Sequence, residues 1–286
     1  MGEYTLPHGI VGEQQRLALM SALLDPVERV CIGRLGVRPG WRCLELGCGN
    51  GSIARTLAER VAPTGHVVAS DIDLAYLVGL QVPCLEVRRI DILQDVIEEG
   101  SYDLVLARAL LHHLTPASKA LERMVTALKP GGVLLSIEPD MLPCTVTEPD
   151  SMRMFWQGWL KWSVEAGIDY FIGRKIPAWL DSLGLEDVGG EGHTAQFNGG
   201  SGWATYWTET MQELAPALLK SGYVTEKMLE EFYARYQDPH HWTSVITFTA
   251  NWGRKPARVR LGVWREKDTS SLGILLGVLA FSVPPV

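Results

Sequence analysis

Trp41-Arg42-Cys43-Leu44-Glu45-Leu46-Gly47-Cys48-Gly49-Asn50-Gly51-Ser52-Ile53 decides how the rest of the chain is read. An apolar-leaning run, Cys43 to Leu46, ends in three glycines at alternate positions. Ile53, Ala54, Leu57, Ala58 and Val61 then follow at helical spacing. The stretch reads as strand, tight loop and helix. Glycine admits positive φ and lets a ligand approach the backbone closely, and the start of the helix offers unpaired N–H groups. The order Glu45-x-Gly47-x-Gly49-x-Gly51 departs from the dinucleotide pattern G-x-G-x-x-G. Taken alone, the three glycines also suit a plain tight turn.

The segments on either side extend the same alternation. Val37-Arg38-Pro39-Gly40 is a turn that opens the core. His66-Val67-Val68-Ala69-Ser70 reads as a second strand with Asp71 at its end, about 20 residues beyond the glycines, where a carboxylate can accept ribose hydroxyls. Asp73 suits a helix cap, and a short helix is expected over about 73–80. Val82 to Val87 is a third strand, followed by Arg88-Arg89-Ile90-Asp91-Ile92. The two arginines are either solvated or paired with Glu98-Glu99. Tyr102 to Arg108 is the clearest fourth strand, and residues 108–113 lie at its carboxyl edge, where open α/β sheets bind ligands. Thr115 and Pro116 are expected to start the next helix as cap and first turn. Lys129-Pro130-Gly131-Gly132 leads into a fifth strand, Val133 to Ile137, with Glu138 and Asp140 after it.

Over about residues 41–140 this ordered set resembles the class I S-adenosylmethionine-dependent methyltransferases, nearest in pattern to bacterial natural-product small-molecule methyltransferases. The resemblance implies an α/β fold: a Rossmann-like, mostly parallel seven-stranded sheet with N-terminal helices and helical lid insertions. It implies S-adenosyl-L-methionine as cofactor and S-adenosyl-L-homocysteine as product. In that family the glycine loop, here Gly47, Gly49 and Gly51, passes beneath the amino acid part of the cofactor, and the acid at Glu45 lies near its ammonium group. Asp71, with Ile72 beside it, matches the ribose-binding position. Asp91 and Ile92 match the adenine-binding position, and Arg108 is added to the same edge.

Outside that core the chain divides by composition. Residues 1–36 read as an arm followed by one or two cap helices, interrupted at Asp25-Pro26; Tyr4, Gln14 and Arg16 are lining candidates there, and surface roles suit them as well. The methyltransferase domain is expected over 37–256, with lid insertions at 141–185 and 200–238. The first insertion is rich in aromatics, with Trp156 and Trp159 on one helix face and Tyr170 further on. Trp156, Trp159, Tyr170 and Tyr206 are candidate pocket walls, since broad ring faces suit a planar ligand; a Trp-rich core is the alternative for each. Glu186 to Val188 reads as a sixth strand and Ser244 to Ala250 as the last. Residues 257–286 form an extension that suits either packing on the core or dimer formation, so monomer and homodimer both stand.

For the chemistry, His113 and His112 are the general-base candidates, because histidine accepts protons near neutral pH; loop capping or helix packing is the alternative. On an extended strand the two rings are not expected to enter one pocket. Arg108 can position an anionic acceptor or pair with Glu138 or Asp140. Glu138 and Asp140 can orient a hydroxyl or amine of the acceptor; solvent-facing or capping roles are the alternative for both.

The formal charge of -7 over 286 residues argues against broad nucleic-acid binding, as does the lack of an N/D-P-P-Y/F/W motif. Five cysteines without a C-x-x-C make neither a disulfide framework nor a zinc site, and no metal is expected. Cys43 and Cys48 are read as small buried side chains. The N-terminus lacks a signal-peptide pattern, and the apolar run 273–283 is too short to span a bilayer; no membrane partner and a cytoplasmic location are expected. The leading functional expectation is methyl transfer, with oxygen favoured over carbon or nitrogen, to a small apolar or aromatic acceptor of secondary metabolism. The alternatives are a cyclase or isomerase on the same scaffold, and a binding protein without turnover.

Overall fold

Short apolar runs alternating with amphipathic stretches become, in the computed structural model, one sheet between two helical layers; the structure describes residues 12–257. In chain order the elements are α1 (Glu13–Arg34), β1 (Arg42–Leu46), α2 (Ser52–Val61), β2 (His66–Asp71), β3 (Leu85–Arg89), β4 (Tyr102–Arg108), α3 (Ala117–Ala127), β5 (Leu128–Asp140), α4 (Asp150–Glu165), α5 (Ile176–Ser182), β6 (Glu186–Thr194), β7 (Phe197–Asn198), α6 (Gly202–Ser221), α7 (Glu226–Gln237), β8 (Trp242–Thr243) and β9 (Thr247–Arg254). Seven strands form the main sheet in the order β3-β2-β1-β4-β5-β9-β6. The neighbours from β3 through β5 pair in parallel, while β9 runs antiparallel to both β5 and β6.

The central strands are covered on both faces, so they read as nearly continuous apolar runs. Leu44 on β1 and Leu104 to Ala107 on β4 are fully buried. One face packs on α2 and on a cap made from α1, α4, α6 and α7; the other packs on α3 and α5. At the β3 edge, where only one strand neighbour exists, Arg88 pairs with Glu86 and with Glu98 at 3.0 Å. The expected pairing with Glu98 is thus present, and Glu86 joins it. Lys129-Pro130-Gly131-Gly132, expected as a turn ahead of the fifth strand, lies inside β5 at a register shift against β4, with Gly131 at φ 81°; its backbone bonds to Lys255, which holds the end of β9 against the start of β5.

Several expected boundaries move. Asp25-Pro26 does not interrupt the first helix: α1 continues through Pro26. The proline removes one helical hydrogen bond, but Asp25 and Glu28 on either side of it are anchored to Arg108. The helix expected over 73–80 is only a single 3-10 turn, Ala75–Leu77. Thr115 does not cap α3; Pro116 occupies the cap position, where no side chain accepts a bond. The last strand lies further along the chain than Ser244 to Ala250, at Thr247–Arg254. Among the described residues no helix is long and apolar enough to cross a membrane.

The tryptophans of α4 hold the cap together. Trp156 and Trp159 are both fully buried. Trp156 meets Trp207 of α6 edge-on at 4.9 Å between ring centroids and Phe232 of α7 at 5.9 Å. Phe155 stacks on Phe232 at 4.7 Å. Neither Trp156 nor Trp159 reaches the main cavity. The helical period turns their face toward α6 and α7, so they are core residues of the cap and not walls of a pocket.

Candidate active site

A cavity of about 580 Å³ opens at the carboxyl ends of β1, β2 and β4, the edge where open α/β sheets take ligands. The glycine loop forms one side. Gly47, Gly49 and Gly51 all have positive φ, at 68°, 53° and 73°. A Cβ on Gly47 would stand 3.1 Å from Leu110, and one on Gly51 would stand 3.0 Å from both Leu77 and Leu80. Gly47 and Gly49 line the cavity; Gly51 lies behind it at the start of α2, where its role is backbone shape and packing.

Asp71 closes the next side. Its Oδ2 accepts from the Gly49 N–H at 2.9 Å, and its Oδ1 accepts from Asp73 N–H at 3.3 Å. A carboxylate has about four acceptor sites, so two bonds leave capacity on the cavity side. Ile72 lines the cavity beside it and is partly exposed. Asp91 accepts from Leu93 N–H at 2.8 Å and from Gln94 Nε2 at 2.6 Å, which fixes its turn; Ile92, buried, lines the same end.

Glu45 and Arg108 belong to a buried ionic cluster under the loop. Arg108 Nη1 donates to Asp25 and to Glu28, both at 2.8 Å, and Nη2 donates to Ser52 Oγ at 3.3 Å. The expected pairing of Arg108 with Glu138 or Asp140 is therefore corrected: acids on α1 take the guanidinium, and Asp140 pairs with Arg174 at 2.6 Å. Glu45 is buried behind the cavity, without lining it, and its Oε2 has no hydrogen-bond partner among the described residues. Burial pushes Glu28 up to about 7, against the pull of Arg108, and Glu45 up to about 8. Arg108→Met leaves Asp25 and Glu28 buried without their cation, so urea denaturation at neutral pH should show a loss of about 3 kcal/mol. Unchanged stability would mean that the cluster does not hold α1 down.

The raised acids also set a pH dependence. A carboxyl whose folded value lies above its ordinary 4.5 gives stability that is complete below 4.5 and is lost as pH rises through the folded value. Glu28 thus contributes a decline in melting temperature between about pH 5 and pH 7. Glu28→Gln should flatten that part of the curve; an unaltered slope would remove Glu28 as its source.

His112 and His113 sit on a 3-10 turn, Leu111–His113, directly after β4. That turn corrects the expectation from an extended strand: both rings line the cavity, with centroids 3.8 Å apart. Glu138 shapes the turn from beneath. Its Oε1 accepts from Leu110 and Leu111 N–H at 3.0 and 2.8 Å, its Oε2 accepts from His112 N–H at 3.3 Å, and His112 Nδ1 lies 2.9 Å from Oε2. Glu138 is fully buried and does not line the cavity, so it is corrected from an acceptor-binding residue to one that positions His112. Burial drives Glu138 up to about 8, against the three N–H groups that favour its carboxylate. Burial, with the charge of Arg16 nearby, drives His112 down to about 3. The ring is therefore neutral across the physiological range, and Nε2 is the nitrogen not committed to Glu138.

The far end of the cavity is walled by the cap. Arg16 and Met20 come from α1, Tyr170 from the segment before α5, and Tyr206 with Trp207 from α6. Phe248 comes from β9. Arg16 is buried and its Nη1 donates to the Tyr206 hydroxyl at 3.4 Å. Trp207, Thr210 and Phe248 were not among the candidates. Trp203, Tyr206, Trp207 and Thr210 follow a three-four spacing on one helix face, a signal that was present in the sequence. Tyr4 lies outside the described residues.

The family model described as Methyltransferase domain matches residues 44–134. The ubiquinone/menaquinone biosynthesis C-methyltransferase UbiE of Bordetella parapertussis is 35% identical over 132 residues, covering 42% of this chain and 49% of that protein. The chain thus spans about half the length of that relative. Among solved structures, a chain described as a methyltransferase from Bacillus halodurans superposes with a TM-score of 0.56 at 18% identity, over 80% of this chain and 99% of the other. The phosphoethanolamine N-methyltransferase 2 of Haemonchus contortus, solved with phosphomonomethylethanolamine and S-adenosylhomocysteine, gives 0.52 at 18% identity, over 85% and 52%. Residues 44–134 thus match the methyltransferase domain model, and the chain carries the fold of the class I methyltransferases.

Proposed function

We propose that the protein transfers a methyl group from S-adenosyl-L-methionine to a small, planar, largely apolar acceptor, at an oxygen. The observation that carries this reading is the single cavity running from Asp91 and Asp71, past the glycine loop, to His112 and the aromatic wall of the cap. The residues present suit the cofactor. Gly47 and Gly49 bring bare backbone to the cavity wall, Asp71 keeps acceptor capacity for ribose hydroxyls, and Asp91 with Ile92 offers an acid and a backbone for adenine. When bound, the cofactor supplies an electrophilic methyl on a sulfonium and leaves as the neutral thioether.

The chain's own residues do the remaining work. Tyr170, Trp207 and Phe248 hold a flat body and exclude water. Orientation of the acceptor against the methyl group supplies much of the rate. His112 Nε2 takes the proton of the acceptor hydroxyl as the new carbon–oxygen bond forms, and Glu138 holds the ring at Nδ1. The test is purified protein with methyl-labelled cofactor and a panel of hydroxylated aromatic compounds, read by mass. Gain of a methyl in place of a hydrogen is expected. Cofactor binding without label transfer to any acceptor would defeat the reading, and a product of unchanged mass with a new ring would replace it with cyclisation.

A further inference from the structure

Under the glycine loop the buried charges do not balance. Asp25 and Glu28 of α1 and Glu45 of β1 bring three carboxyls, and Arg108 of β4 brings one guanidinium; each of the four is 8% exposed or less. Arg108 Nη1 is shared between Asp25 and Glu28. Ser52 Oγ, which accepts from Arg108 Nη2, donates to Asp25 at 3.1 Å. One oxygen of each glutamate, Glu28 Oε1 and Glu45 Oε2, is buried with no hydrogen-bond partner among the described residues. Asp71 of β2 adds a further acid facing Glu45. Two thiols border the cluster: Cys48 of the loop faces Glu45, and Cys31 of α1 faces Glu28; burial raises both, so both stay neutral. Arg34, beside Cys31, is paired with Glu191 at 2.6 Å. Arg16 and Lys119, which also line the cavity, stand at Tyr206 of the cap and on α3. Three carboxyls around one guanidinium do not all ionise cheaply away from water, and burial places Glu28 at about 7 and Glu45 at about 8. Near neutral pH the cluster therefore holds protons. It also communicates with the cavity: Arg108, Cys48 and Asp71 line the wall, and the charge of Glu45 is felt at Cys48.

We propose that this cluster couples cofactor binding to proton release: S-adenosyl-L-methionine, on entering the cavity, expels a proton from the paired carboxyls of Glu28 and Glu45. This inference rests on the methyltransferase reading above. The ligand's ammonium and sulfonium, offset by its own carboxylate, bring one net positive charge beside the loop. A positive charge nearby favours the ionised form of a carboxyl, so one net charge is balanced by about one proton. The carboxyl O–H breaks, its electron pair stays on oxygen and the proton passes to the buffer; no bond of the cofactor changes. Neither glutamate lines the cavity, so both act through charge, by way of Arg108 and the loop. S-adenosyl-L-homocysteine lacks the sulfonium charge and releases less.

The test is titration calorimetry of the full chain with S-adenosyl-L-methionine at pH 7, without acceptor, in buffers of different ionisation enthalpy. The dependence of the binding heat on the buffer counts the protons exchanged. Release of about 0.5–1 proton is expected, and affinity should rise about 3–10-fold between pH 6.5 and 7.5. The ligand's own α-amino group, with an ordinary value of about 8, would instead take up a proton on binding as an ammonium, so the sign separates the two sources. Glu138 also titrates near 8, and two variants separate its share. Glu45→Gln and Glu28→Gln should each lower the release and flatten the rise in affinity, with ligand-free melting showing that each variant is folded. S-adenosyl-L-homocysteine should release about half as much or less. A binding heat independent of buffer, a release unchanged in both variants, or equal release by the two ligands would overturn the coupling and leave the methyltransferase reading standing. If S-adenosyl-L-methionine fails to bind the folded protein, both fall together.

Discussion

Asp71→Ala should weaken binding of S-adenosyl-L-homocysteine by about 10²–10⁴-fold, measured by titration calorimetry. The magnitude follows from the loss of two hydrogen bonds to a charged acceptor, each contributing about 1.5–3 kcal/mol. Asp71 is suited to the role because its carboxylate is already oriented: Gly49 N–H and Asp73 N–H hold it from the loop side. Removing it therefore also releases the Gly49 amide, which adds to the loss. Asp71→Asn keeps the shape and one acceptor oxygen, so its effect should be smaller by about tenfold or more. The ligand-free melting temperature separates binding from folding. If Asp71→Ala melts as wild type yet binds S-adenosyl-L-homocysteine with unchanged affinity, the cofactor end of the cavity has been assigned wrongly.

The sheet and the glycine-loop side of the cavity were legible because their signals are local. A strand ending in Gly47-x-Gly49-x-Gly51, an acid at the end of the next strand and the Lys129-Pro130-Gly131-Gly132 stretch at the start of β5 each occupy a few consecutive residues. The sheet order then follows from a known scaffold. The ionic cluster and the cap were less legible because their contacts are set at long range. Arg108 meets Asp25 and Glu28, 83 and 80 residues away, and a side chain with acids nearer in sequence gives no hint of that choice. Trp156 and Trp207 carry the same ring, yet one is a hub between helices and the other walls the cavity. The difference lies in contacts between helices far apart in sequence, among them the stacking of Phe155 on Phe232. Glu138 looked like a ligand-facing acid at the end of β5. It is consumed instead by three backbone N–H groups of a 3-10 turn that no periodicity marks.

That turn makes the last prediction specific. His112→Gln should lower kcat by about 10²–10⁴-fold, the range for loss of a positioned general base, with little change in cofactor affinity. The pH profile tells more than the magnitude. With its own value driven down to about 3, the ring stays neutral from pH 5 upward, so the profile should show no acid limb from protonation of His112. The limb should come from Glu138, near pH 8. Below that pH the protonated carboxyl donates to Nδ1, which leaves the ring proton on Nε2, the wrong nitrogen for accepting another. Above it the carboxylate accepts from Nδ1–H, and Nε2 is a free base. The two groups share one proton, so the limb belongs to the pair. In wild type kcat should therefore rise as pH rises through about 8. In Glu138→Gln the limb should vanish and the rate stay low, because the amide cannot serve as a charged acceptor for Nδ1–H. A limb that persists in both variants would mean that the proton is taken by another group or by water, and His112 would revert to holding the turn in shape.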